Sequence, residues 1–290
     1  NRKIAAWLAA LAEANVESIR IGSKEMAFYP DRFDDTFFAM LDQFHETYPN
    51  VGLRMMLHFN YPDEFLQKDD DENYIEDGSG FLQWVPSTRR AMDGLVSRGW
   101  VSVENQAPII KGINDDPDAL RLYEACGQMR LPITIHLDYP IDHGRGDYPR
   151  PNWWYGGSLD AFERAIVACP QTAFIGHAPG FWAHISGDDL YDKASYPDGP
   201  VLPGGRLSEI MRTYPNLYAD LSAGSGIKAL KRDRDFGRNF LVEFQDKLLF
   251  GRDYFDTSLM DFLLELALPG EAFAKITYQN AERLLSAYLS

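Results

Sequence analysis

Residues 158–180 read SLDAFERAIVACPQTAFIGHAPG, an amphipathic helical pattern that runs into a short apolar strand. The strand predicted before this helix is LPITIHLD, at residues 131–138. A strand, a helix and a second strand in this order are typical of a parallel βαβ unit. The same alternation recurs in both directions along the chain, so this unit indicates the fold class of the whole sequence.

Working outward from this unit, hydrophobic periodicity predicts about seven strands separated by helices. The predicted strands are 16–22, 51–60, 100–105, 131–138, one within 172–180, 216–222 and 247–254. The predicted helices are 3–16, 33–49, 86–98, 116–129, 158–170, 204–215, 258–268 and 270–289. Long loops are predicted at 61–80, 138–157 and 178–203, where a barrel enzyme would vary its specificity.

Seven parallel strands are one short of a closed α/β barrel, which needs about eight. The first predicted element is a helix, so we expect one strand to precede Asn1. An open doubly wound sheet is the competing fold, but it predicts a Gly-rich phosphate turn, and the sequence contains no GxGxxG. The sequence therefore predicts a single domain over 1–290, a (β/α)8 TIM-type barrel whose first strand is missing from the chain.

The composition of the chain limits the classes of molecule that we expect it to bind. The formal net charge is −15 and 24% of the residues are charged. Such acidity repels phosphate backbones and anionic lipid, which argues against nucleic-acid and membrane partners. Cys126 and Cys169 have no partners at metal-binding spacing and make no disulfide framework. We expect a small-molecule substrate. The sequence does not decide whether the chain forms a homo-oligomer. It does not determine the cellular compartment either, although the cytoplasm is favoured.

Three polar residues end predicted strands in positions that suit catalysis. His136, His177 and Asp253 each follow an apolar run, and alternation along a strand directs each toward the inside of the barrel. Reactive side chains of such barrels lie at the carboxyl ends of several strands. Imidazole and carboxylate are common ligands of Zn²⁺ and similar divalent ions. The set predicts a divalent metal site, with zinc favoured, although each residue alone is also compatible with a structural role.

Four further residues are candidates for substrate contact or for supporting the ligands. Glu104 and Asp220 end strands, and Asp220 is suited to orienting a histidine ligand. His58 ends another strand, and Trp182 lies in a long loop after His177, where it either walls a pocket or packs the loop. Ordinary alternatives remain for the two carboxylates, namely an ion pair for Glu104 and a loop cap for Asp220.

Five segments resemble the amidohydrolase superfamily, in the branch with the aminocarboxymuconate-semialdehyde decarboxylase relatives and the "amidohydrolase 2" hydrolases. They are LPITIHLD, AFIGHAPGFW, PNLYADLSAGSG, LLFGRDYFD and ITYQNAERLL. The resemblance implies that His136 is a metal ligand and that His177 is the catalytic histidine or a further ligand. It implies that Asp253 binds the metal and accepts a proton from the attacking water.

The resemblance implies hydrolysis of an ester, lactone or amide-like bond by metal-activated water. Non-oxidative decarboxylation of an aromatic or muconate-like acid is an alternative on the same site. The family also has a His-x-His pair on its first strand, and this sequence has no HxH. We expect that pair upstream of Asn1. If it is absent, a degenerate barrel that binds a ligand without catalysis is the third interpretation.

Overall fold

The computed structural model describes residues 1–108, 114, 116–139, 158–191, 193–252 and 256–286. Its strands form one sheet in which every neighbouring pair is parallel and the spatial order follows the chain, β1 to β7. The strands are β1 Ser18–Ser23, β2 Gly52–Leu57, β3 Val101–Pro108, β4 Ile133–His136, β5 Phe174–His177, β6 Leu217–Asp220 and β7 Leu248–Leu249.

Helices connect these strands and cover the outside of the sheet. The α-helices are α1 Arg2–Glu13, α2 Glu25–Phe28, α3 Asp35–Thr47, α4 Pro86–Val96, α5 Leu120–Gln128, α6 Leu159–Ala168, α7 Pro179–Trp182, α8 Arg206–Thr213, α9 Ser225–Lys231, α10 Arg234–Glu243, α11 Ser258–Glu265, α12 Gly270–Ala274 and α13 Asn280–Leu285. Single turns of 3₁₀-helix occur at Pro30–Arg32, Pro62–Glu64 and Ala183–Ile185, and a π-helical turn at Lys275–Gln279 joins α12 to α13.

Residue alternation along the strands separates an apolar outer layer from a polar interior. In β2, Leu53, Met55 and Leu57 are buried in the main core, beneath the surrounding helices. The intervening Arg54 and Met56 instead line an internal cavity. This period of two follows from the pleat of the strand, which directs successive side chains to opposite faces. The strands therefore present their polar side chains to the inside of the sheet.

A second, smaller apolar cluster lies on the inner face. It consists of Ile175, Leu249 and Leu284, with Ala173 and Tyr218 packed against it. Leu284 belongs to α13, so this helix contributes to the wall of the internal cavity. The interior is thus polar around the ends of the strands and apolar where α13 packs.

The predicted barrel architecture is confirmed for the part of the chain that the structure describes. All seven predicted strands are present, and the helices alternate with them as in a (β/α)8 barrel with one strand missing. Within the described residues, β1 and β7 each pair on one side only, so they are the two edges of the curled sheet. The assignment of 1–290 to one domain stays a prediction. No helix in the described ranges is both long and apolar enough to span a membrane.

Four helices were not predicted from the sequence: the one-turn helices α2 and α7, and the longer α9 and α10. The segment that holds α9 and α10, AGSGIKALKRDRDFGRNFLVE at 223–243, is rich in glycine and charge, which hides its periodicity. The start of α10 is fixed by Asp233, whose side chain accepts a hydrogen bond from the backbone N–H of Phe236. This is ordinary N-capping, which satisfies a donor that the first turn cannot use internally.

Candidate active site

The two predicted histidines lie side by side at the carboxyl ends of neighbouring strands. His136 ends β4 and His177 ends β5, and the two residues are paired in the parallel register. Their ring centroids are 5.3 Å apart, with the ring planes inclined by 59°. Because paired residues of adjacent strands point to the same face, both imidazoles project into the barrel. The sequence prediction that these rings share one site is consistent with this placement.

His177 is held by polar groups from β6 and from the residues that follow it. Its Nδ1 lies 3.4 Å from Oδ1 of Asp220 and 3.4 Å from Oγ of Ser222. Asp220 also accepts a hydrogen bond of 2.5 Å from the backbone N–H of Ser222. Burial would raise the pKa of the Asp220 carboxyl, but the hydrogen bonds from His177 and Ser222 outweigh it and lower that pKa. An ionised Asp220 therefore orients and stabilises the His177 ring.

The chain turns sharply after His177, and small residues permit the turn. Ala178 has φ of +83°, a conformation that side chains with a Cβ rarely adopt. Gly180 donates its N–H to the carbonyl of Leu137 over 3.0 Å, and a Cβ on Gly180 would lie only 2.7 Å from that oxygen. The turn therefore packs directly against the end of β4. This close approach keeps the two histidine-bearing strand ends together.

Trp182 lies behind the site and not in the cavity. Its side chain is 1% exposed, and its Nε1–H donates a 2.9 Å hydrogen bond to the backbone carbonyl of Asp220. Of the two alternatives left by the sequence, this placement favours packing and support over a pocket wall. Trp182 fixes the backbone of the residue that orients His177, so its contribution to the site is indirect.

A cavity of about 300 Å³ opens beside His177 and extends into the barrel. Glu104 and Asp220 contribute carboxylates to its lining, and Met56, Ile175 and Leu249 contribute apolar surface. A larger groove of about 710 Å³ lies on the outside between residues 79–81 and 168–172, but none of the candidate site residues lines it. Among the candidate site residues, Glu104, His177 and Asp220 line this internal cavity.

Glu104 is 7% exposed, and burial raises the pKa of its carboxyl, an effect that the nearby Arg54 opposes. His58 lies farther along the same face, at the end of β2. Burial lowers the pKa of the His58 imidazole, and Lys24 lowers it further, whereas a hydrogen bond with the backbone of Gln106 acts in the opposite direction. His58 is therefore neutral more readily than an exposed histidine, but it does not line the cavity.

The separation of the two imidazole rings is compatible with a shared divalent cation. Zn–N bonds of about 2.0–2.1 Å at a tetrahedral angle would put two imidazole centres roughly 5 Å apart. The observed centroid separation is 5.3 Å. In the part of the chain that is described, no group of three His, Cys, Asp or Glu stands at metal-binding spacing. Asp253, the predicted third ligand, lies outside the described residues.

Arg20 and Arg54 were not predicted as site residues, and Ser222 was not assigned a role from the sequence. Ser222 contacts His177, and Arg20 and Arg54 line the internal cavity. A signal for the arginines was available, because each is a charged residue within an apolar strand, in SIRIG and GLRMML.

Comparison with known proteins places the chain among barrel proteins. A family model described as amidohydrolase matches residues 82–286, more than half of the chain. The crystal structure of 5-carboxyvanillate decarboxylase from Sphingomonas paucimobilis is similar, with a TM-score of 0.52 and 16% identity over 96% of this chain and 81% of that one. An uncharacterised TIM-barrel protein from Bordetella bronchiseptica has a TM-score of 0.51 and 15% identity over 87% of this chain and 73% of that one. At these identities the two structures support the fold alone.

A curated protein that is described as an aminomutase also matches part of the chain. The putative L-lysine 2,3-aminomutase of Aquifex aeolicus (strain VF5) is 34% identical over 121 residues, which are 41% of this chain and 27% of that protein. The chain thus spans about a quarter of the length of this relative.

Proposed function

The chain belongs to the amidohydrolase family, and from this membership we propose that it is a metal-dependent hydrolase that cleaves an ester, lactone or amide-like bond of a small molecule. The observation that carries the proposal is the pair of imidazoles at the ends of β4 and β5, 5.3 Å apart, of which His177 lines an internal cavity. The carboxyl end of the strands is where barrel enzymes have their active sites.

His136 and Asp253 are the proposed ligands of a divalent cation, with zinc favoured, and His177 is the proposed catalytic histidine or a further ligand. A cation held there would supply a Lewis acid that polarises the bond under attack and makes water acidic, with a pKa near 7. These donors suit zinc, because imidazole and carboxylate are the usual non-sulfur ligands of Zn²⁺.

The roles of the remaining residues follow from their contacts. Because Nδ1 of His177 is paired with Asp220, we propose that His177 acts through Nε2. Asp220 stabilises the imidazolium form, as a carboxylate does behind a catalytic histidine. Asp253 is the proposed acceptor of the proton from water. Asp220 and Ser222 hold the His177 ring in place, and Trp182 holds Asp220.

Metal analysis with paired activity measurements tests the proposal. Protein purified without added metal is assayed for bound zinc, manganese and iron, stripped with a chelator, and reloaded. Activity is measured on a panel of aryl esters and lactones, with CO₂ release from aromatic acids followed in parallel. The variants are His136→Ala, His177→Ala and Asp253→Asn. His45→Gln is the matched control, because His45 stacks on Trp100 in the outer layer, with ring centroids 4.4 Å apart.

The proposal expects hydrolysis that is lost on chelation and restored by one divalent metal. It expects weaker metal binding in His136→Ala and Asp253→Asn, with His45→Gln unchanged. CO₂ release without hydrolysis would replace the hydrolase assignment with the decarboxylase alternative. Full activity in the metal-stripped protein would refute metal dependence altogether.

A further inference from the structure

Two arginines project from the inner face of adjacent strands. Arg20 of β1 and Arg54 of β2 are paired in the parallel register, so their side chains leave the sheet on the same face. Both line the internal cavity that His177 also lines. Each lies three residues before the end of its strand, Ser23 or Leu57, and therefore about 10 Å along the strand from the mouth.

These guanidinium groups are not paired with a carboxylate. In the described ranges neither arginine donates a hydrogen bond or forms an ion pair. Arg20 is exposed, whereas Arg54 is half-buried and its Nε is buried without a partner. Both groups attract the Glu104 carboxyl electrostatically, yet neither is hydrogen-bonded to it. A buried donor without a partner is costly, because its desolvation is not compensated. The cavity therefore presents hydrogen-bond donors that an acceptor would stabilise.

The charge of the cavity contrasts with that of the chain. Its lining has three arginines and two carboxylates, whereas the formal charge of the whole protein is −15. Burial raises the pKa of Glu104, which further reduces the negative charge in the cavity. A local excess of positive charge in a low-dielectric cleft attracts anions. Beside the arginines, Met56, Ile175 and Leu249 form an apolar wall that suits a flat apolar body.

We propose that Arg20 and Arg54 form a carboxylate-binding site inside the barrel, which recognises a carboxylate of the substrate remote from the bond that reacts. Guanidinium groups bind carboxylates through two parallel hydrogen bonds, and two adjacent guanidinium groups provide such donors here. The link to a reacting bond near His177 rests on the proposed function, but the carboxylate site itself does not. The substrate class is accordingly an acid with an apolar body that also contains the cleavable bond.

Calorimetric titration with benzoate and with uncharged benzamide tests the site. The two probes share the ring and differ in charge, so their difference in affinity measures recognition of the carboxylate. The variants Arg20→Gln and Arg54→Gln remove one guanidinium each, and Arg54→Lys keeps the charge without the forked donors. Arg90→Gln is the matched control, because Arg90 pairs with Asp31 on the outer surface. Circular dichroism checks that each variant is folded, and bound metal is measured in every sample.

The proposal expects benzoate to bind at least about tenfold more tightly than benzamide, and each Arg→Gln variant to lose at least about tenfold in benzoate affinity. It expects Arg54→Lys to lose less than Arg54→Gln, and Arg90→Gln to match the parent. Equal binding of the two probes, or variants that bind benzoate normally, would overturn it. A carboxylate of another polypeptide segment could instead occupy the site. In that case benzoate would bind no more tightly than benzamide, and both Arg→Gln variants would melt at a lower temperature. This result would also overturn the proposal.

The metal measurement separates this inference from the proposed function. Protein that binds benzoate through these arginines but holds no metal would support the carboxylate site and contradict the metal-dependent activity. Protein that holds metal at the histidines but does not distinguish benzoate from benzamide would contradict the carboxylate site alone.

Discussion

Replacement of Asn105 by alanine should destabilise the fold more than any typical surface change. The side chain of Asn105 is fully buried and makes two 2.9 Å hydrogen bonds to the backbone of Phe59, accepting from its N–H and donating to its carbonyl. Asn105→Ala leaves both backbone groups unpaired where Phe59 is 1% exposed. At about 1–3 kcal/mol for each unsatisfied buried group, we expect a loss of about 3 kcal/mol.

Urea unfolding followed by fluorescence measures this loss as a lower midpoint at an unchanged slope. Hydrogen exchange at the Phe59 amide should accelerate in the same variant, because that amide loses its acceptor. Asn105→Leu fills the volume without replacing the hydrogen bonds and should be about as unstable as Asn105→Ala. Asn73→Ala, at an exposed position, is the control and should change stability by less than about 0.5 kcal/mol. A loss below about 1 kcal/mol in Asn105→Ala, or full stability in Asn105→Leu, would refute the argument.

Three further predictions concern other buried or paired groups. Trp182→Phe removes the 2.9 Å hydrogen bond to the Asp220 carbonyl, so unfolding should become easier by about 1 kcal/mol and kcat should fall more than KM changes in steady-state kinetics. Arg232→Met leaves the Asp188 carboxylate, whose side chain is 10% exposed, without its partner, and urea titration should detect a loss of about 3–5 kcal/mol, part of which the added change Asp188→Leu recovers. The Arg98 guanidinium donates a hydrogen bond to the Asp42 carboxylate, which lowers the pKa of Asp42 below its ordinary value of 3.8. The ionised form of Asp42 therefore stabilises the fold above that pH. Asp42→Asn should therefore be less stable than the parent at pH 7, and the gap in melting temperature should close as the pH falls below 3.8; a constant gap would contradict this.

The order and direction of the strands could be predicted from the sequence because they depend on local patterns. His136 and His177 each end a short apolar run, and the period of two along a strand was enough to direct both rings inward. The helices α9 and α10 escaped prediction because their glycines and charges give a weak local signal, whereas burial of Ile227, Leu230 and Phe240 stabilises them in the fold. Tertiary packing overrides weak propensity in such segments.

The contacts that complete the candidate site are long-range, which explains why the sequence did not reveal them. The hydrogen bond from Trp182 to Asp220 joins residues 38 apart in the chain, and the contact between Ser222 and His177 joins residues 45 apart. No local pattern encodes such a pair. Arg54 is visible as a charge within an apolar strand, but only the assembled sheet directs it into the cavity together with its neighbours.

The central claim is that the imidazoles of His136 and His177 lie around one divalent cation. Anomalous diffraction from crystals of the zinc-loaded protein, recorded on both sides of the zinc absorption edge, locates that cation directly. We predict one strong peak within about 2.0–2.1 Å of a nitrogen of His136, with the His177 ring beside it at the internal cavity. Zinc bound only at other positions, in protein that remains hydrolytically active, would contradict it.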